Sequence, residues 1–171
     1  ETGSDLQNIK TRASINDNEI VLSGSKTFIT NGQNADVILV VAKTDTSKGA
    51  KGISILLCEK NRKGFKKGKN LKKIGMKAQD TSELFFDEVI LPKENILGVP
   101  GHGFVQLMDE LPQERLSIAV SAISAAEAAL NWTIAYAKER SAFNKKIIEF
   151  QNTKFTLAKL KSEITVARTF V

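Results

Sequence analysis

The sequence predicts an α+β multidomain fragment, in which an antiparallel β sandwich or barrel-like domain precedes part of an α-helical bundle domain. Two observations carry this. Residues 1 to about 99 hold short apolar runs of strand character separated by turn residues, with no helical span between them, which argues against βαβ units. From about Phe104 onward, apolar and small residues recur three and four apart over long stretches, the period of a helix. At 171 residues the chain can form one ordinary domain or two small ones and can bury a real core.

The elements follow in order. `ASINDNEIVLSGSKTFITNG` reads as two short strands around a tight turn at Asp17 and Asn18, the second alternating through Ile20 and Leu22 and stopping at Asn31-Gly32. `ADVILVVAKTD` is apolar enough for a strand covered on both faces. `DTSKGAKG` is a surface loop, `KGISILLCEK` another strand, and `SELFFDEVILPKENIL` gives one or two more before Pro92. The character changes at `GVPGHGF`. A helix follows with an interruption near Pro112, small residues at Ala119, Ala122, Ala126, Ala129 and Ala137, and bulk at Leu116, Val120, Ile123 and Leu130. After `KERSAFNKK` a second helix shows Leu157, Leu160, Ile164, Ala167 and Val171. Two such helices cannot bury their faces alone, so further bundle helices are expected to cover them.

The net charge of +6 comes mostly from lysines in two clusters, Lys60 to Lys73 and Lys138 to Lys161. No aromatic residues interleave with them as a stacking platform requires, so a solvated lysine-rich face is the expectation and nucleic acid is not an expected partner. Cys58 stands alone in `GISILLC` and is expected to be a buried thiol in a reduced compartment. His102, also alone, sits beside glycines in a turn and is not expected to ligate or catalyse. No stretch reads as long and apolar enough to span a bilayer, and no signal peptide opens the chain. Truncation at both ends is the preferred reading.

Glu114 and Arg115, in `ELPQERLSIAVSAIS`, put a carboxylate beside a fixed positive charge at the start of the small-residue helix. A carboxylate is a candidate general base when it is held against the carbon it deprotonates. The simpler reading is a surface ion pair with a residue one helical turn away.

Five short motifs, in their order and spacing, carry a resemblance over essentially the whole chain: `TGSD` at Thr2–Asp5, `GSKTFITNG` at Gly24–Gly32, `GMKAQDTSELFFDEVILP` at Gly75–Pro92, `ELPQER` at Glu110–Arg115 and `AKERSAFNK` at Ala137–Lys145. The chain resembles the acyl-CoA dehydrogenase family, the long-chain type above all and the isovaleryl branch more loosely. The resemblance implies a middle β domain at 1–99, a truncated C-terminal helical-bundle domain at 100–171, and no N-terminal helical domain. It also implies FAD, an acyl-CoA substrate, electron-transfer flavoprotein as electron acceptor, and a dimeric or tetrameric parent. The matrix of the mitochondrion is expected for a eukaryotic parent and the cytoplasm for a bacterial one.

By the resemblance, Ser4 lies in the loop used against the flavin diphosphate and the thioester. Phe28 and Thr30 fall where the family packs an aromatic on the isoalloxazine and sets a hydroxyl near its reactive edge. Unaided, Phe28 reads as a core aromatic and Thr30 as a strand-end residue. Asp80 and Thr81 are expected to hold their loop. Arg140, Phe143 and Gln151 match residues that contact the FAD of a neighbouring subunit, with Asn144 in place of the family's usual glycine. Glu114 matches the base of the long-chain and isovaleryl branches, removing the α-proton while the β-hydride goes to flavin N5. Arg115 is expected on the substrate side.

Alternatives stay open at this point: an acyl-CoA oxidase of related fold, which would return electrons to oxygen, or a non-catalytic acyl-CoA-binding or scaffold relative, which would bind without bleaching flavin. The 171-residue piece by itself is expected to retain FAD weakly or not at all, to show no turnover, and to self-associate.

Overall fold

The computed structural model describes residues 2–171, which divide into two compact units, one up to Met108 and one spanning Asp109–Val171. The first is built on β1 (Arg12–Ile15), β2 (Glu19–Thr30), β3 (Val37–Lys43), β4 (Ile53–Glu59), β5 (Phe65–Asn70) and β6 (Thr81–Pro92). These form one sheet of order β4-β3-β1-β2-β6-β5. All neighbours are antiparallel except β1 and β3, which meet in parallel at Arg12 and Lys43.

The expected antiparallel sandwich or barrel is therefore corrected to an open, mixed sheet. The reason lies in which edges are free. β2 is flanked by β1 and β6, and β3 joins on the far side of β1, running parallel to it. The sheet does not close. Instead, residues after β6 cover the outer edge of β4: Leu97 N–H donates to Ile55 C=O at 2.9 Å and Asn95 Nδ2 to Leu57 C=O at 2.7 Å. Covering an edge strand in this way removes a template for aggregation.

All six strands feed one core, with Leu22, Val40, Leu56, Phe65 and Leu84 among its members. Two bulges keep the pleat in phase with it. Leu22 pairs with Val89 but Gly24 with Phe86, so β6 carries an extra residue at Asp87-Glu88, with Glu88 at φ 48°. That insertion lets Leu84, Phe86, Val89 and Leu91 all point inward, as the burial shows. The second bulge lies in β2, between Lys26 and Ile29.

β3 is not covered on both faces as expected. Ile38, Val40 and Ala42 are buried, while Val37 and Leu39 are 52% and 59% exposed, so among the described residues the second face is only partly covered. β4 takes that place instead, with Ile53 to Leu56 all buried beneath the covering segment. β5 was not anticipated; its lysines mask it, although Phe65 anchors it on Phe86 with ring centroids 5.3 Å apart. Cys58 is buried and free, as expected, and burial pushes its thiol up to about 11.

Helix α1 runs from Gly103 to Glu139 and helix α2 from Gln151 to Phe170. The expected interruption at Pro112 is absent: α1 passes through it. Proline removes the N–H that would meet the Met108 carbonyl, at a cost of roughly 3 kcal/mol, and the strong helix formers on either side absorb it. Within the second unit, Leu130, Ala137 and Leu157 form a small core with Ile134, Ile147 and Ile164 against it. Arg168 on α2 donates to Ser124 on α1 at 3.0 Å.

The expectation that no stretch is long and apolar enough to span a bilayer is corrected for α1, which contains an 18-residue window of mean hydropathy 1.3. Residues 116–126 carry no charge, and alanines and serines dilute the apolar signal to the eye without making it polar. One such helix is weak grounds for a span, since a bundle helix shares the composition.

Candidate active site

In the sheet unit the candidate residues gather at the far end of β2. The bulge there turns Phe28 to φ 58° and leaves its ring 75% exposed, so Phe28 is not the core aromatic expected from alternation alone. A bulky residue in the left-handed region is rare and costs of order 1–3 kcal/mol, which surrounding contacts must hold. Those contacts lie in the next few residues. Asp80 accepts from the Gln33 backbone N–H at 2.7 Å and from Asn34 Nδ2 at 3.0 Å. Lys67 Nζ donates to the carbonyls of Gln33 and Ala35, at 2.7 and 3.0 Å. Gln33 Nε2 reaches the Gly68 carbonyl at 2.7 Å. The turn after Phe28 is thus clamped to both β5 and β6. At Gly32 a Cβ would stand 2.5 Å from Ser82 Oγ, so only glycine allows the turn to sit this close.

Thr30 is exposed beside Thr81, its pairing partner on β6. Asp80 and Thr81 are buried, and Asp80 holds the Gln33–Asn34 turn that follows β2 rather than only its own loop. Ser4 is exposed in the segment leading into β1. That segment meets the same end of the sheet, for Thr2, Leu6 and Ile29 line one cavity of about 180 Å³. Thr2 Oγ1 is buried there and has no hydrogen-bond partner among the described residues. An exposed ring, the exposed Thr30 hydroxyl and an unsatisfied buried oxygen can receive a planar group with polar substituents.

In the helical unit the candidates form two groups. Glu114 and Arg115 are both exposed on α1. The surface ion pair considered for Glu114 is not formed among the described residues, and its neighbours four residues away are Glu110 and Ile118, neither a cation. Arg140, Phe143 and Gln151 lie at the opposite end of α1. Arg140 follows the helix directly, its N–H bonded to Tyr136 C=O at 2.9 Å. The chain then makes a two-stranded ribbon, β7 (Ser141–Ala142) with β8 (Lys145–Lys146), which the sequence reading missed. Phe143 and Asn144 form its turn, at φ 52° and 61°, the mirror-image geometry that asparagine tolerates. Phe143 is 89% exposed and meets Phe150 edge-on at 6.4 Å. Arg140 and Gln151 are exposed as well. At 1.5 Å per residue, Glu114 and Arg140 stand roughly 39 Å apart along α1, too far to serve one small reacting group.

Residues 1–89 match the family model of the acyl-CoA dehydrogenase middle domain, and residues 101–171 that of the C-terminal domain. The mitochondrial long-chain specific acyl-CoA dehydrogenase of Sus scrofa is 50% identical over 99% of this chain and 40% of its own length. The cyclohex-1-ene-1-carbonyl-CoA dehydrogenase of Geobacter metallireducens is 40% identical over 97% of the chain and 44% of its own. A crystal structure of an acyl-CoA dehydrogenase from Geobacillus kaustophilus superposes with a TM-score of 0.95 at 46% identity, covering 99% of this chain and 45% of that one. The chain thus spans less than half the length of these relatives, and over that span it belongs to the acyl-CoA dehydrogenase family.

Proposed function

We propose that a protein of the relatives' length carrying this chain is an FAD-dependent acyl-CoA dehydrogenase, which oxidises fatty or branched acyl-CoA thioesters to trans-2-enoyl-CoA. The observation that carries the reading is that two consecutive domains of one enzyme family match the chain in order, at 1–89 and 101–171. The boundary near residue 99 belongs to the same reading. When bound, FAD supplies the acceptor of the β-hydride at flavin N5.

The residues present suit that group. The exposed Phe28 ring offers a stacking face, and the clamped turn behind it keeps that face in place without rearrangement on binding. The Thr30 hydroxyl and the Thr2 Oγ1 supply polar contacts, the latter gaining a partner that the described residues do not give it. Ser4 contributes on the diphosphate and thioester side. Arg140 offers the guanidinium fork that a diphosphate accepts, with Phe143 and Gln151 beside it. The long separation from Glu114 supports the view that the Arg140 group serves a neighbouring copy's cofactor, in a homo-oligomer.

Glu114 is the base. One of its carboxylate oxygens forms an O–H bond as the α C–H bond of the thioester breaks, and negative charge builds on the thioester oxygen. A carboxylate in water is too weak a base for such a carbon, and Glu114 is exposed in this chain. Exclusion of water around it therefore falls to the bound substrate and, in a protein of the relatives' length, to the remainder of that protein. Arg115 lies next along α1 on the substrate side and holds a permanent positive charge. Electron-transfer flavoprotein is the proposed acceptor of the electrons. The direct test is mass analysis of products after anaerobic mixing with saturated acyl-CoAs: a product lighter by two hydrogens, with stoichiometric flavin reduction, is expected. A binding-only relative would leave both unchanged.

A further inference from the structure

From Lys60 to Gln79 the chain carries nine lysines and arginines and no carboxylate. Part of this has a local explanation. Lys60 pairs with Asp36, Arg62 with Glu59, Lys67 braces the turn beyond Phe28, and Lys66 and Lys69 lie on β5, an edge strand of the kind lysines protect from aggregation. The loop between β5 and β6 has no such explanation. Lys73 Nζ bonds back to the Gln79 carbonyl, Gln79 N–H to Met76 C=O at 3.1 Å, and Leu71 N–H to Thr81 C=O at 2.8 Å. The loop is therefore a braced projection. At its tip Ile74 is fully exposed and Met76 is 76% exposed, the latter at φ 48°. Lys72 and Lys77 flank them, exposed and with no ion pair among the described residues.

We propose that this loop docks on an anionic lipid surface, Ile74 and Met76 entering the headgroup–acyl boundary while Lys72, Lys77 and the neighbouring lysines meet lipid phosphates. Charge complementarity names the partner, since an uninterrupted cationic stretch seeks an anionic plane. The tip favours lipid over an acidic protein. Two apolar side chains that stand clear of their own protein need a soft apolar medium to bury them, whereas a protein would have to offer a matching pocket. The inference does not depend on the acyl-CoA reading.

Co-sedimentation of the full-length protein with vesicles tests it without using activity. Phosphatidylcholine vesicles are compared with vesicles doped with phosphatidylglycerol. Binding is expected only to the doped vesicles, and it should weaken as salt rises. The paired substitutions Ile74→Ser with Met76→Ser, and separately Lys72→Glu with Lys77→Glu, should each lower the partition coefficient by about tenfold or more. Circular dichroism and thermal melting are expected to be unchanged, because these side chains project from the surface. Absence of binding to doped vesicles would overturn the proposal. So would binding that survives both pairs, which would move the contact elsewhere, for instance to the apolar face of α1. If vesicles are ignored but the tip pair weakens capture of an acidic protein, the loop belongs to a protein partner and the lipid assignment fails.

Discussion

In the sheet unit, buried side chains from all six strands share one core, and Leu22, Leu56, Leu84 and Leu91 are wholly out of water. In the helical unit the comparable cluster is Leu130, Ala137 and Leu157, while Trp132, Tyr136, Phe155 and Phe170 are each more than half exposed. The difference follows from geometry. A six-stranded sheet whose strands all turn apolar residues to one side can bury that face together with its covering segments, but two antiparallel helices share only one seam and leave the rest of their surfaces open. Stability in the first unit is therefore expected to be intrinsic, and in the second to depend on what covers it.

The largest expected effects separate the two units. Leu84→Ala empties a fully buried position in the sheet and should cost about 3 kcal/mol in denaturant unfolding. Leu116→Ala, at a 47% exposed position on α1, should change the stability of the 171-residue chain by less than about 0.5 kcal/mol. Equal costs would mean that α1 is already packed on both sides. Self-association sharpens the same contrast. The 171-residue chain should grow in apparent mass with concentration in light scattering, and Trp132→Ser combined with Phe155→Ser should suppress that growth. Sheet-face changes at Val37 and Leu39, which are also exposed, should suppress it less if the helical face is the one lacking a partner.

A smaller effect probes the clamp behind Phe28. Asp80→Ala removes the acceptor of the Gln33 N–H and Asn34 side-chain bonds, a loss of roughly 1–3 kcal/mol locally. Amide exchange at Gln33 should quicken by about tenfold or more, and the full-length protein should hold flavin less tightly. Unaltered exchange would show that Lys67 and Gly32 suffice to fix the turn. The smallest effect is electrostatic. Hydrogen bonding from Arg62 is the main cause that holds the Glu59 carboxyl at about 2 against an ordinary 4.5. Its folded pKa is lowered, so the stabilisation is complete above pH 4.5 and fades as pH falls toward about 2. The pair is largely exposed and screened. A slight extra loss of melting temperature over that pH range in the parent, absent in Glu59→Gln, is the expected result.

What the residues revealed in advance depended on how faithfully local pattern follows burial. β1, β2, β4, β6 and α2 showed themselves because alternation or helical spacing matched the buried face. β5 did not, since `FKKGKN` has one apolar anchor and owes its place to pairing with β6. Phe28 was misread from the strand pattern because a bulge reverses the pleat at that residue, and nothing in `SKTFITNG` announces the bulge except the glycine and asparagine that follow. Pro112 pointed to a break, but a single proline in an otherwise strong helix is outweighed by its neighbours. The candidate site residues were named from the order of five motifs, while the Asp80–Lys67 clamp, joining residues 47 and 34 positions away from Gln33, needed coordinates.

The proposal that Glu114 is the base is tested most directly by single-turnover flavin reduction in the full-length protein and its Glu114→Gln variant, mixed anaerobically with the acyl-CoA that the parent oxidises fastest. Loss of a general base is expected to slow bleaching by about two to four orders of magnitude while the acyl-CoA still binds. Bleaching at the parental rate in the variant would contradict the account and leave Glu114 a structural residue, with the proton taken by a group outside residues 1–171.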